Sequence, residues 1–400
     1  MHTQPRAKAI LAAGAAVQLL TGIPAAWGVF QQPVMEAYGF ARGQATLAFA
    51  VLVACYGLGC LLGGLLQDAK GPRPAGLLGA ALLGGGFVAA AFLPAGQILW
   101  FLLAFSLPAG LGSAFLAPSV LACVQKWYAD KKGFATGVTG VAMGLSGAFF
   151  TLFVRLVGGA FGMRACFGAL GGVMLAVGGA GAAALANPPA ARSRSARAKP
   201  GAPSLTPGQM LRTRQYWLCL AAVALAAPPV LLFSPEILQL AADRGLPEAL
   251  APWCVVIGSA ASALGRLACP AASDRLGRKP VLYGVYLGLA AGTLGFAFAS
   301  GWWLAAAYGA LTFCYSGGAA VQPSWNTDLF GLEHAGVNYG FLALGMSAGS
   351  LVSYAGSQLL PLSARHWAAG ACALAGLGCV ALVKAVPGPA DTVENSSPTM

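Results

Sequence analysis

Long apolar runs recur along the whole chain, and they restrict the possible folds more than any other feature of this sequence. A bilayer core of about 30 Å is crossed by a helix of about 20 apolar residues. Twelve runs of this kind are present, six before a polar gap and six after it. The sequence therefore predicts an all-α integral membrane protein with twelve transmembrane helices. The predicted spans are 9–31, 45–66, 75–94, 98–122, 134–156, 165–186, 215–235, 250–272, 280–299, 302–322, 339–360 and 366–386.

The composition excludes most other classes of protein. Apolar residues make up 58% of the chain and charged residues 8%, whereas about a quarter of a soluble domain is charged. A transmembrane β-barrel would show short segments of alternating polarity instead of continuous apolar runs. The ten cysteines lie in or beside apolar runs, without a C-x2-C pair, and predict packing thiols. We expect no enzyme activity, no metal and no cofactor, and the first apolar run predicts a retained span rather than a cleaved signal.

The positions of the basic residues predict the orientation of the chain. Lysine and arginine concentrate in cytoplasmic loops of membrane proteins. If the N-terminus is cytoplasmic, most of the 23 basic residues fall in cytoplasmic segments. We therefore predict that both termini are cytoplasmic and that the protein is a multi-pass protein of the inner (plasma) membrane. The net charge of +12 then reflects topology, and we expect no nucleic-acid partner.

The polar gap predicts a division of the chain into two halves. Residues 187–214 are rich in Pro, Ser, Arg and Ala and show no apolar periodicity, as in a flexible linker. The linker arginines are suited to contact with anionic membrane lipid. The predicted units are an N-terminal six-helix bundle (1–186), a cytoplasmic linker (187–214), a C-terminal six-helix bundle (215–386) and a disordered tail (387–400).

A short loop signature occurs once in each half. Segments 58–74 and 264–280 align with a constant offset of 206 residues, and both contain an Asp, a Gly three positions later and a basic residue. An acid at a helix end, a glycine turn and a basic residue form a tight loop that can pair charges between neighbouring helices. Two copies at matching points indicate a duplicated transporter-like architecture.

These loops resemble the signature of the major facilitator superfamily, G-x3-D-[RK]-x-G-R-[RK]. The second copy, 274–279, matches well except that Pro270 replaces the leading glycine, and in the first copy Ala69 and Pro72 replace basic residues. The resemblance covers about residues 9–386 and implies alternating access between two helical bundles, with substrate near the midplane. It also implies a gating role for the loops, although a purely structural role is an equal alternative. The candidate gating residues are Asp68, Gly71, Arg73, Asp274, Arg275, Gly277, Arg278 and Lys279.

One arginine lies deep inside a predicted span. Arg266 belongs to span 250–272, which contains no acidic residue. A cation at such depth costs about 2.5–3.5 kcal/mol unless it faces a cavity or a partner. A planar guanidinium binds a carboxylate through two hydrogen bonds. The position of Arg266 in this span therefore predicts an anion-binding site. The alternatives are a pair with an acid on another helix and a side chain that reaches the headgroups.

The remaining polar residues of the spans favour the same ligand class. The spans contain no lysine and almost no carboxylates or amides, which disfavours cations and sugars as substrates. Hydroxyl and indole donors in an apolar cavity suit a small organic anion with one hydrogen-bonding end. The donors that the spans offer, each also compatible with simple packing, are Trp27, Tyr56, Ser113, Ser262, Tyr315, Tyr339 and Ser347. Of these, the candidate substrate contacts are Tyr56, Tyr315, Trp27 and Ser262.

A second resemblance is closer. The stretch Lys126-Trp127-Tyr128-x2-Lys131-Lys132-x2-Ala135-x-Gly137 is similar to a loop of the monocarboxylate transporters and the bacterial oxalate/formate antiporters. In those families an arginine eight residues before the loop acid binds the substrate carboxylate, and Arg266 holds that position relative to Asp274. Oxalate exchangers carry a second cation where this chain has Met346, and animal carriers an aspartate where it has Ser262. These departures disfavour a dianion and leave the coupling mechanism open.

The sequence thus predicts a secondary transporter of small monocarboxylates of the lactate, pyruvate or formate type. Coupling by proton symport and coupling by anion exchange both stay open, as does the oligomeric state. Two alternatives are an exporter of amphiphilic compounds and a non-transporting membrane receptor or scaffold.

Overall fold

The computed structural model describes residues 3–128, 132–186, 188, 204–331 and 333–384. Within these ranges the chain is helical and contains no β-strand. The predicted tail 387–400 and most of the predicted linker lie outside the described residues.

The N-terminal part is built from helices that follow the apolar runs. The helices are α1 (Thr3–Thr21), α2 (Ile23–Tyr38), α3 (Arg42–Lys70), α4 (Pro72–Ala91), α5 (Ile98–Trp127), α6 (Lys132–Gly144), α7 (Ser146–Phe153), α8 (Gly159–Val173) and α9 (Gly179–Ala184). Short π-helical turns, 102–106, 154–158 and 174–178, interrupt α5 and join α7 to α8 and α8 to α9.

The C-terminal part is also helical, with shorter pieces at its start. Its helices are α10 (Pro207–Leu211), α11 (Arg214–Leu225), α12 (Pro228–Leu231), α13 (Ile237–Asp243), α14 (Trp253–Leu276), α15 (Arg278–Phe298), α16 (Gly301–Phe330), α17 (Ala335–Leu359) and α18 (Leu362–Leu382). A 3-10 turn, Ser234–Glu236, precedes α13.

Eleven helical stretches of the described chain are long and apolar enough to cross a membrane. The longest, Phe134–Ala184, has 51 residues and contains both the fifth and the sixth predicted span. Gly162 interrupts it with φ +80° and ψ 166°, a non-helical conformation that side chains other than glycine rarely adopt. The interruption falls between the predicted spans 134–156 and 165–186.

Several helices extend beyond the apolar runs that predicted them. The run 302–322 becomes the helix Gly301–Phe330, in which polar residues such as Asn326 and Asp328 continue the helical hydrogen bonding. Hydropathy measures only the apolar section of a helix, so the helices are longer than the predicted spans. The first run, 9–31, is instead divided at Gly22 into α1 and α2, because Gly22 packs closely against Ser146 and Pro24 lies in the first turn of α2.

Two helix pairs make the most extensive contacts between the N-terminal part and the C-terminal part. Helix α3 packs lengthwise against α17, and α6 packs against α14. Small residues make both contacts possible: a Cβ at Gly340 would overlap the backbone at Leu61, and a Cβ at Gly144 would overlap Ala263. The central helices α3, α6, α14 and α17 therefore approach closely, and the residues that line this junction define the candidate site.

Candidate substrate-binding site

Arg266 lies at the junction of the two parts, on α14. Its side chain is half-buried, and its Nε atom is enclosed without a hydrogen-bond partner among the described residues. The guanidinium is within electrostatic range of three tyrosines from three other helices, Tyr56 of α3, Tyr315 of α16 and Tyr339 of α17. We call these four residues the arginine–tyrosine cluster. The cluster combines one positive charge with phenol groups that both donate and accept hydrogen bonds.

The local sequence of α6 makes room for Arg266. A Cβ at Gly140 would lie 3.4 Å from the Cβ of Arg266, so the glycine lets α6 pass directly beside the arginine. Gly137 and Gly144, one turn away on either side, similarly face Leu267 and Ala263 of α14. The glycine face of α6 thus positions α14 without covering the guanidinium with a large side chain.

The positive charge of Arg266 is not neutralised by a carboxylate in the described part of the chain. The ion pairs found there join Arg42 and Arg365 to Glu236, and Arg278 to Asp274 and Asp328. The alternative in which Arg266 pairs with an acid on another helix is therefore not observed. A buried cation is stable when an anion or water reaches it, and the half-exposed side chain leaves such access.

Tyr56 connects the cluster to the N-terminal part. It is half-buried and packs against a small group made of Cys60, Ala114 and Ala343. Cys60 occupies the position equivalent to Arg266 in the internal repeat. The two repeat-related positions are therefore both near Tyr56, with the cation on the C-terminal side only.

A cavity of about 40 Å³ adjoins the cluster. Tyr315 and Tyr339 line it together with Met346, Gln322 and apolar residues of α11 and α15. Met346 thus makes one wall of the cavity apolar. In the sequence this residue stands where oxalate exchangers have a second cation. The cavity lies within the C-terminal part, beside two of the three tyrosines that surround Arg266.

Two other predicted residues have different surroundings. The Ser262 hydroxyl, one turn from Arg266 on α14, donates a hydrogen bond of 2.7 Å to Ser316 and is 4% exposed. Trp27 is fully buried, stacks on Phe49 and Phe105, and donates its indole N–H to Gln31. The structure therefore does not bring Trp27 to the arginine–tyrosine cluster, because its ring is covered on all sides by the aromatic core of the N-terminal part.

The second loop signature forms a charge network within the C-terminal part. Arg278, at the start of α15, contacts Asp274 of α14 at 2.5 Å and Asp328 of α16 at 3.0 Å. Lys279 donates to the carbonyl of Ala381, and Arg275 is exposed. Gly277 turns the chain with φ +92°, a conformation that favours glycine. This network ties α14, α15, α16 and α18 together at one face of the molecule, which we call the loop face.

The first loop signature is arranged differently. Gly71 turns the chain with φ +86°, but Arg73 is exposed and forms no ion pair with Asp68 in the described chain. The Asp68 carboxylate instead lies beside the first turn of α17, 3.3 Å from the place of a Cβ on Gly336. Lys126 and His334 are within electrostatic range of it.

The opposite face of the molecule is closed by a second set of charges. Glu236 lies between Arg42 of α3 at 3.4 Å and Arg365 of α18 at 3.3 Å, and its side chain is 8% exposed. Arg42 also donates to Gln239. Because Arg42 belongs to the N-terminal part and the other residues to the C-terminal part, these contacts join the two parts on the face away from the loops.

Gln322 is a site residue that the sequence did not identify. It is the last residue of the predicted span 302–322, yet α16 continues for two more turns. The helix-compatible residues of the segment 323–330 are the signal that could have located it. Tyr339, one of the hydroxyl donors offered by the predicted spans, stands at the first position of span 339–360, but helix α17 begins at Ala335 and places it one turn inside.

The described residues contain no group of three or more His, Cys, Asp or Glu side chains that could hold a metal ion. The polar groups of the site are a guanidinium, phenols, an amide and hydroxyls. Such groups bind and release an anion without forming covalent bonds to it.

Comparison with known proteins relates the chain to membrane transporters. The family model "Major Facilitator Superfamily" matches residues 10–353 and 230–399. The oxalate:formate antiporter of Oxalobacter formigenes is 25% identical over 342 residues, which cover 81% of this chain and 77% of that protein. Monocarboxylate transporter 13 of Bos taurus is 28% identical over 140 residues, 35% of this chain and 32% of that protein.

The fold is shared with a solved transporter structure. The peptide transporter POT in complex with sulfate superposes with a TM-score of 0.70, at 14% identity, over 96% of this chain and 97% of that chain. The resemblance predicted from the loop signatures is thereby confirmed. Because the family model spans most of the sequence, the protein belongs to the Major Facilitator Superfamily of multi-pass membrane transporters, which are not enzymes.

Proposed function

We propose that this plasma-membrane protein is a secondary transporter of small monocarboxylates and that Arg266 binds the carboxylate. The observation that carries the proposal is the half-buried Arg266, with an unpartnered Nε and no carboxylate partner in the described chain. A carboxylate presents two oxygens to the planar guanidinium, and such charge-assisted pairs are short and strong. Tyr56, Tyr315 and Tyr339 are within electrostatic range of the guanidinium, and their hydroxyl groups would donate further hydrogen bonds to the same carboxylate.

Charge balance favours a monoanion over a dianion. One guanidinium neutralises one carboxylate, and a second negative charge beside an apolar wall would be desolvated without a partner. Met346 contributes such an apolar wall. Oxalate exchangers carry a second cation at the corresponding position. The relative from Oxalobacter formigenes is an oxalate:formate antiporter. We infer that this chain transports monoanions of the formate type and not dianions such as oxalate.

The proposal includes twelve membrane crossings. The stretch Phe134–Ala184 crosses twice, with its turn at Gly162, because 51 helical residues exceed the length of one crossing about twofold. The chain then forms bundles 1–186 and 215–386, joined by the linker 187–214 and followed by the tail 387–400, with both termini in the cytoplasm. The loop face is cytoplasmic, and its basic residues contact anionic lipid.

Transport proceeds by alternating access of the two bundles to the site between them. Carboxylate binding neutralises Arg266, which removes the cost of enclosing an isolated charge when the bundles close. The charge contacts at Asp68 on the loop face, and at Glu236 on the opposite face, connect the bundles and must break and reform during the cycle. Coupling is by proton symport or by anion exchange, and uptake with and without an internal counter-anion at two external pH values separates the two.

The decisive experiment compares Arg266→Ala and Arg266→Lys with the unchanged protein in proteoliposomes. Loss of a desolvated charge pair costs about 2 kcal/mol or more, so we expect uptake of labelled formate and lactate to fall about 30-fold or more. The matched control is Arg155→Ala, since Arg155 is exposed and distant in sequence from every residue of the site. Elution as a monodisperse species verifies folding. Undiminished uptake by both Arg266 variants would contradict the proposal.

The apolar cavity beside the cluster also favours a second candidate function, export of amphiphilic anions. An exporter of this kind would be inhibited by hydrophobic carboxylates and not by lactate. Competition of both against labelled substrate in the same vesicles distinguishes it from a monocarboxylate transporter.

A further inference from the structure

The cavity near Arg266 has a mostly apolar lining. Of the residues that line it, the large majority are aliphatic or aromatic, including Leu282, Val285 and Leu289 of α15. Tyr315 and Tyr339 belong both to the cavity wall and to the surroundings of Arg266. The cavity therefore shares two tyrosines with the surroundings of Arg266, on the side of the C-terminal part.

Gln322 is the amide in this wall, and its acceptor atom is unpartnered. The residue is 7% exposed, and its Oε1 has no hydrogen bond to any described residue. A buried polar atom without a partner is destabilising, and buried amides are nearly always hydrogen-bonded in native proteins. Because Gln322 lines the cavity, a ligand there that carries a hydrogen-bond donor would supply this partner.

Arg266, Gln322 and Met346 lie at a similar depth in the molecule. Arg266 is ten residues from the end of α14, Gln322 eight from the end of α16 and Met346 eleven from the start of α17. These helix ends all lie at the loop face, so the three residues are about 12–17 Å from it at 1.5 Å per residue. The cation, the amide and the apolar wall are thus level with each other.

The size of the cavity limits what can enter it. A protein cavity of about 150 Å³ accommodates benzene, so 40 Å³ corresponds to about two carbon atoms. Formate would leave this space empty. The second carboxylate of oxalate would enter an apolar environment without a counter-ion, which is costly.

We propose that this cavity is a side pocket for the carbon tail of the substrate and that Gln322 accepts a hydrogen bond from a hydroxyl group on that tail. The favoured substrate class is then a hydroxy monocarboxylate of about four carbons, with its carboxylate on Arg266, its two outermost carbons in the pocket and the carbon between them at the entrance. This inference rests on the proposed function and adds the residues that select among monocarboxylates.

The first test narrows the pocket. Ala319 lines the cavity on α16, and Ala319→Val adds two methyl groups to it. The added methyl groups overlap with the tail of the larger acid but not with formate, so we expect the uptake ratio of 3-hydroxybutyrate to formate to fall about tenfold. The matched control is Ala310→Val on the same helix, where the side chain is exposed and the ratio should not change. An unchanged ratio in Ala319→Val would overturn the pocket.

The second test removes the acceptor. In Gln322→Leu the hydroxyl of the substrate loses its partner, so the uptake ratio of 3-hydroxybutyrate to butyrate should fall about 2–10-fold, as for one neutral hydrogen bond. If a bound water satisfies Gln322 instead, both acids will be affected alike and the ratio will stay constant. That result would overturn the role of Gln322.

The two levels of the proposal fail in different ways. If formate uptake depends on Arg266 but neither ratio changes in the variants, the side pocket is wrong and the carboxylate transporter stands. If no carboxylate in the panel of formate, butyrate, 3-hydroxybutyrate and oxalate is taken up, the proposed function itself is wrong. If oxalate is taken up at the same rate as 3-hydroxybutyrate, the apolar pocket does not select the substrate.

Discussion

The two loop signatures of the chain have the same turn but different charge contacts. Gly71 and Gly277 adopt nearly the same conformation, with φ and ψ of +86° and 175° in the first loop and +92° and 159° in the second. In the second loop Asp274 pairs with Arg278, whereas in the first loop Asp68 faces Gly336 at the start of α17. One acid thus braces its own half, and the other contacts the opposite half.

The reason for the difference is visible in the sequence. Pro72 stands where the second copy has Arg278, and Ala69 stands where it has Arg275. Without a cation at position 72 the first loop cannot form the bridge that Arg278 makes to Asp274 and Asp328. The Asp68 carboxylate is instead placed at a helix N-terminus, where the backbone N–H groups and the helix dipole favour a negative charge. Duplication preserved the turn, and substitution at two positions changed which helices it connects.

The largest effect is expected from the feature that the loops share. Gly71→Ala and Gly277→Ala place a Cβ in a backbone region that is almost exclusive to glycine, at a cost of about 1–3 kcal/mol each. We expect similar decreases in the free energy of unfolding for both variants, measured by denaturant titration in detergent.

The control for this pair is Gly85→Ala, since Gly85 lies in α4 with open space around its Cβ position. An alanine there should be neutral or slightly stabilising, because helix interiors favour alanine over glycine. If only one of the two loop variants lost stability, the equivalence of the two turns would be wrong.

A smaller effect is expected where the loops differ. Arg278→Ala removes the ion pairs with Asp274 and Asp328. Because these acids are 61% and 55% exposed, the unfolding free energy should fall by about 0.5–1 kcal/mol. The matched variant Arg73→Ala removes an exposed arginine from the other loop and should change the unfolding free energy by less than about 0.5 kcal/mol. Equal losses of unfolding free energy in the two variants would mean that the ion pairs of Arg278 do not stabilise the protein.

The sequence was sufficient for the local features of this molecule and insufficient for those that depend on helix pairing. The apolar runs located the helices, and the depth of Arg266 in a run without acids identified the cation, because both properties are encoded along a single segment. The tyrosines near that cation are on α3, α16 and α17, and their approach depends on how glycines such as Gly140 let helices pack closely. Trp27 illustrates the converse: an indole inside a span suggested a ligand contact, but the surrounding phenylalanines bury it.

The smallest effect concerns the contact between halves. Asp68→Asn removes a charge from the N-terminus of α17 and should weaken that contact by about 0.3–1 kcal/mol, a shift of about 2–5-fold in the ratio of closed to open loop faces. Spin labels at the exposed positions 70 and 276, in a background without native cysteines, report this ratio as distances between the halves. Asp274→Asn is the matched control: its acid contacts only its own half, so the distance distribution should stay as it is. Because the two substitutions are chemically identical at repeat-related positions, a shift confined to Asp68→Asn would separate a gating acid from a bracing one, and equal shifts would show that the two loops act in the same way.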